Sequence, residues 1–164
     1  VDKHQPILGV VHAPMQKVTY LGSPKFGAYK RDAHGEKAIS CRKVASTCRE
    51  NDPFVMMISR RHAANTTEAL VNKIKNQFGK CLKVQMGSSL KICSIAEGKA
   101  DLYPRLGPTS EWDTAAAQAV LEASGGSIVD QKLNKLTYNS KEHLLNPFFF
   151  AVGDTSFDWQ SLFA

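Results

Sequence analysis

The sequence predicts an α/β fold built in layers, and three observations lead to it. Strand-like and helix-like segments alternate after Pro53, whereas the stretch before it holds only short strand-like segments separated by turns. With 43% hydrophobic residues in 164, the chain can bury a sizeable core. The expected organisation is antiparallel strands over residues 1–52, followed by an α/β domain over residues 53–164.

Taken in order, residues 7–11 (Ile-Leu-Gly-Val-Val) and 18–21 flank Pro14-Met15-Gln16-Lys17 and read as a hairpin. Residues 28–30 and 38–40 pair around Asp32-Ala33-His34-Gly35. From Pro53 the rhythm changes. Residues 54–58 make an apolar strand, and 66–78 a helix with Leu70, Val71, Ile74 and Phe78 on one face and Gly79 as its stop. A strand at 81–85, a helix at 88–97 closing on Gly98 and a short strand at 101–105 follow. Residues 109–126 form a helix with Trp112 holding its start and Asp113 in its first turn. Ala115, Ala116, Ala119 and Ala123 form a narrow stripe that lets another backbone come close. Gly125 or Gly126 supplies the positive φ that ends it. Residues 127–130 and 148–152 are further strands, separated by a polar, turn-rich stretch through Asn134 and Asn139.

Composition narrows the function classes. With 22% charged residues and a mean hydropathy of −0.27, the chain reads as an ordinary soluble globular protein, and no apolar run is long enough for a transmembrane segment. The net charge of +6 is uneven: residues 1–61 hold 11 Lys or Arg against 5 Asp or Glu, and the remainder 10 of each. Such a surface suits an anionic ligand, whether a phosphorylated metabolite, a nucleic acid or an acidic lipid, and is equally compatible with a solvated basic face. Cys41, Cys48, Cys81 and Cys93 show no zinc-ligand spacing and read as free thiols of a reducing compartment, Cys93 as a packing residue. The expected location is the cytoplasm, free or peripheral at the inner membrane face. The chain enters its first strand almost at once after Val1, so the partner elements of that strand are expected in sequence outside it.

Four segments carry candidate chemistry. Ser110 and Asp113 have capping-box spacing, yet an aspartate in so close-packed a first turn also suits a hard cation beside a phosphate. Spacing leaves both roles open. Gly87-Ser88-Ser89-Leu90-Lys91 lies at a strand-to-helix junction, where Ser88 can cap the helix and Lys91 can reach a phosphate; a plain N-cap accounts for it as well. Ser59-Arg60-Arg61-His62 follows a buried strand, the place where α/β proteins set ligand-facing loops, although a solvated loop fits equally. Arg105 stands eight residues before Asp113, so the two either share one crevice or Arg105 is a surface residue.

Together, Gly87-Ser88-Ser89-Leu90-Lys91, Ala96-Glu97-Gly98, Leu102-Tyr103-Pro104-Arg105 and Trp112-Asp113-Thr114-Ala115-Ala116 resemble the second half of a known phosphatase group. It is the lithium-sensitive, magnesium-dependent inositol monophosphatase superfamily, and the likeness is strongest to its bacterial bisphosphate nucleotidase branch. The resemblance runs from residue 6 through Leu145-Asn146-Pro147. It implies a layered α-β-α-β-α sugar-phosphatase-like fold and hydrolysis of 3'-phosphoadenosine 5'-phosphate to AMP and phosphate, a clean-up reaction of sulfate assimilation. By the same resemblance Asp113 is a metal ligand, and His62, Ser88, Lys91, Arg105 and Asp113 are substrate contacts. Inositol phosphatases usually carry an acidic residue near the position of Arg105, whereas an arginine suits a second phosphate.

Two departures qualify what the resemblance implies. Ala117 stands where the family usually has glycine, and the family's Asp-Pro-x-Asp-Gly-Thr motif and upstream glutamate are not in this sequence. The expectation is therefore a C-terminal portion with no complete catalytic set, inactive alone, with Mg²⁺ binding weak or absent. Its expected partners are a small-molecule nucleotide and the missing N-terminal half, with no nucleic acid. The alternatives are a non-catalytic nucleotide-binding remnant and an inositol monophosphatase-type sugar phosphatase. A single-stranded nucleic-acid binder fits poorly with 9% aromatic residues.

Overall fold

Pro14 interrupts the first extended segment, and Lys17, in the left-handed region at φ 52°, reverses the chain. Strand β1 (Gly9–Ala13) thereby pairs antiparallel with β2 (Val18–Ser23). Strands β3 (Gly27–Asp32) and β4 (Gly35–Ile39) extend this into a four-stranded meander. The structure is a computed structural model that describes residues 1–44, 52–59 and 67–163.

The second sheet begins with β5 (Phe54–Ile58), followed by helix α1 (Glu68–Phe78), β6 (Cys81–Gln85), α2 (Leu90–Ala96) and β7 (Leu102–Arg105). Then come α3 (Glu111–Ala123), β8 (Ser127–Asp130), β9 (Phe149–Val152) and a short α4 (Gln160–Phe163). The strand order is β6-β5-β7-β9-β8; the first three run parallel, and β9 runs antiparallel to both its neighbours.

The period of two along each strand splits its residues between two faces. Phe54, Met56, Leu102 and Phe150 pack on Val71 and Ile74 of α1 and on Trp159 and Leu162. Val55, Met57, Tyr103, Phe149 and Ala151 face α2 and α3, where Val18 and Tyr20 of the first sheet join the same core. The described residues thus stack four layers: the first sheet, α2 with α3, the second sheet, and α1 with α4.

The first sheet lies directly on α3. A Cβ at Gly9 would stand 2.0 Å from the Ala116 carbonyl oxygen, and one at Gly22 would stand 2.3 Å from the Val120 Cα. The small-residue stripe therefore does admit another backbone. Ala119 is buried at this contact and Ala117 is buried in the core, whereas Ala115, Ala116 and Ala123 are half-buried. Gly125, at φ 100°, ends the helix as expected.

Two local expectations are corrected, and one element is added. Trp112 is 70% exposed and does not hold the start of α3, because Ser110, Asp113 and Asn146 make the contacts there. The helix read at 88–97 begins at Leu90 with Ser89 as its N-cap residue, since Ser88 is in the left-handed region at φ 54°. Helix α4 had no counterpart in the sequence pattern. Among the described residues, Cys41, Cys81 and Cys93 are free thiols, and burial pushes the Cys93 thiol up to about 12. Cys48 lies outside the described residues. No described helix is long and apolar enough to cross a membrane.

Candidate phosphate-binding site

Strands β5 and β7 are parallel neighbours, so their carboxyl ends open on the same edge of the sheet. Ser59 follows β5, and Arg105 ends β7. The loop before α2 and the first turn of α3 close the other sides, leaving a cleft of about 410 Å³. Ser88, Lys91, Arg105 and Asp113 all line it. Arg105 and Asp113 therefore share a crevice. His62 lies outside the described residues.

Lys91 is 4% exposed, and an ammonium so buried needs partners. Its Nζ donates to the carbonyls of Met86 at 3.2 Å and Ser88 at 2.8 Å. The same Nζ stands 4.7 Å from the centroid of the Tyr103 ring, a cation–π contact. Lys91 thus holds the 86–88 loop while lining the cleft.

Arg105 is tied at both ends. Its Nη1 donates to Ser59 Oγ at 3.1 Å and its Nη2 to the Pro108 carbonyl at 2.8 Å. Its Nε is buried with no hydrogen-bond partner among the described residues. Ser59 Oγ also lies 3.2 Å from the Tyr103 hydroxyl. Burial raises the Tyr103 pKa, outweighing the opposite influence of Ser59 and Arg105, so the phenol stays protonated at neutral pH.

The start of α3 is braced from the far side of the chain. Asp113 Oδ2 accepts the Ser110 backbone N–H at 2.8 Å, the capping-box contact that its spacing suggested. Asn146 Nδ2 donates to the Ser110 carbonyl at 2.8 Å and to Thr114 Oγ1 at 3.1 Å. Glu111, next to Ser110, accepts from Lys141 and from the Asn139 N–H; burial acts upward on its carboxyl, but these contacts outweigh it and hold the pKa low.

The arrangement can bind an anion with more than one charged group. Among the described residues, two cations, several hydroxyls and loop backbone line one cleft with a single carboxylate, Asp113. Among the described residues, no three His, Cys, Asp or Glu side chains gather to hold a metal. Mg²⁺ asks for near-octahedral oxygen ligands, so these residues do not complete a site for it. Sequence reasoning found Ser88, Lys91, Arg105 and Asp113 but assigned nothing to Tyr103 or Asn146 and read Ser59 only as part of a loop.

The profile of the inositol monophosphatase family matches residues 1–152. The chain is 39% identical over 164 residues to the 3'(2'),5'-bisphosphate nucleotidase CysQ of Haemophilus influenzae, a match spanning 99% of this chain and 58% of that protein. It is 40% identical over 149 residues to CysQ of Escherichia coli K12, spanning 91% of this chain and 56% of that one. The crystal structure of CysQ from Bacteroides thetaiotaomicron, described as a bacterial member of the same family, superposes with a TM-score of 0.79 at 33% identity. It covers 93% of this chain and 60% of its own. The chain therefore spans less than two thirds of these relatives.

Proposed function

This chain belongs to the inositol monophosphatase family, and from that premise we propose that it forms the phosphate-gripping part of a 3'(2'),5'-bisphosphate nucleotidase. The observation that carries the reading is the meeting of Lys91 and Arg105 in one cleft with Asp113. Two fixed cations match a ligand with two phosphates better than a sugar monophosphate. The substrate is a nucleoside bisphosphate of the 3'-phosphoadenosine 5'-phosphate type, with Ser88 beside it at the cleft wall. Identity to CysQ nucleotidases over nearly the whole chain supports this choice.

Asp113 is the one carboxylate in the described lining of the cleft. Asp113 would supply one oxygen ligand to a bound Mg²⁺, an ion that would neutralise phosphate charge, and the described residues offer no further carboxylate beside it. The part this chain plays is to bind and orient the phosphates, through Arg105 above all.

Titration calorimetry with adenosine 3',5'-bisphosphate and AMP, beside a phosphate-release assay with Mg²⁺, tests the reading. The bisphosphate should bind tighter than AMP by about tenfold, with no turnover by the 164-residue chain. Equal affinities would remove the two-phosphate assignment, and inositol monophosphate bound above both would favour a sugar phosphatase. Magnesium-dependent release that Asp113→Asn abolishes would overturn the expected lack of turnover.

A further inference from the structure

We propose that Ser59 and Tyr103 are positioning residues that hold the Arg105 guanidinium and the Lys91 ammonium at a set separation, and so select ligands with two phosphates over ligands with one. The proposal rests on the nucleotidase reading and adds to it the residues that set specificity.

Geometry connects the two cations through one phenol. Tyr103 and Arg105 are two residues apart in β7, so they leave the strand on the same side. The ring face of Tyr103 lies under Lys91 Nζ at 4.7 Å. Its hydroxyl lies 3.2 Å from Ser59 Oγ, which accepts from Arg105 Nη1 at 3.1 Å. A serine oxygen has one proton and two lone pairs, enough to meet both neighbours. Ser59 reaches this place because β5 and β7 are adjacent and parallel. The Pro108 carbonyl holds the other terminal nitrogen of Arg105. The guanidinium is then fixed in its plane while its buried Nε lacks a partner among the described residues.

Neither Ser59 nor Tyr103 is charged, so neither need grip a phosphate itself. Their effect is on the pair. A ligand with one phosphate needs one cation, and loosening Arg105 leaves Lys91 in place on Met86 and Ser88. A ligand with two phosphates loses the pre-set spacing and must order Arg105 on binding.

The test uses Ser59→Ala, Ser59→Thr and Tyr103→Phe in the 164-residue chain. Calorimetry should show adenosine 3',5'-bisphosphate binding weakened about tenfold by Ser59→Ala and AMP binding changed less than about twofold. Ser59→Thr keeps the hydroxyl and should restore the preference; Tyr103→Phe keeps the ring under Lys91 and should reduce it. Equal weakening of both ligands by Ser59→Ala, or no change in either, overturns the proposal. A ligand-free readout stands beside it: the Arg105 guanidinium NMR signals should show slow rotation in the unsubstituted chain, averaging in Ser59→Ala and recovery in Ser59→Thr. If the unsubstituted chain binds neither nucleotide, the nucleotidase reading falls. The NMR signals then decide the positioning alone, and identical spectra in Ser59→Ala overturn it.

Discussion

One oxygen of Asp113 accepts the Ser110 N–H at 2.8 Å, and the same side chain lines the cleft. The cap and the ligand role separate by substitution. Asp113→Ala removes the acceptor and should lower stability by about 1 kcal/mol. Asp113→Asn keeps an acceptor and loses the charge, so it should cost only about 0.5 kcal/mol through the helix dipole. Urea titrations of the two variants measure this. Equal losses would mean that charge, not the cap, stabilises the start of α3. Lys91 illustrates the same duality, since its ammonium both lines the cleft and holds two loop carbonyls.

At the scale of elements, α3 and the first hairpin are matched by what they lack. Gly9 and Gly22 bring strand backbone onto helix backbone, and the contact at Gly9 is a main-chain oxygen that cannot rotate away. Gly9→Ala should therefore lower stability by about 3 kcal/mol, read from the shift in urea midpoint at constant slope. A loss below about 1 kcal/mol would show that the hairpin lifts off α3 with little resistance. The small-residue stripe on α3 pointed to such an approach, but which backbone came close was not written in it.

Across the whole molecule, Glu97 ties the first sheet to the helical layer. It accepts from Tyr20 of β2 and Lys30 of β3, each at 3.0 Å, and pairs with Lys99. Burial pushes its carboxyl upward, but Lys30, Lys99 and Tyr20 outweigh it and hold the pKa below the ordinary value of 4.5. A carboxyl with a lowered folded pKa binds fewer protons folded than unfolded. Its stabilisation is present above pH 4.5 and is lost as pH falls through the folded value. Melting temperature should drop through that acid range, and Glu97→Gln should melt lower at neutral pH with a flatter acid limb. An acid limb of unchanged slope in Glu97→Gln would show that other carboxyls set the pH dependence.

Strands 54–58, 81–85 and 127–130 were legible in the sequence to the residue, because short segments carrying Val, Ile or Phe and bounded by turn formers report on local structure. The family was legible too, from the order of four motifs along one chain. The outward Trp112, the left-handed Ser88 and the terminal α4 were not, since each follows from what the rest of the chain leaves to pack against. The cleft divides the same way. Ser88, Lys91, Arg105 and Asp113 stand out by residue type and spacing, whereas the roles of Ser59, Tyr103 and Asn146 depend on contacts made 32 to 46 residues apart. Only the strand order β6-β5-β7-β9-β8 and the packing of α3 bring those partners together. Hydrogen bonds of that reach are set by tertiary adjacency, which no local pattern encodes.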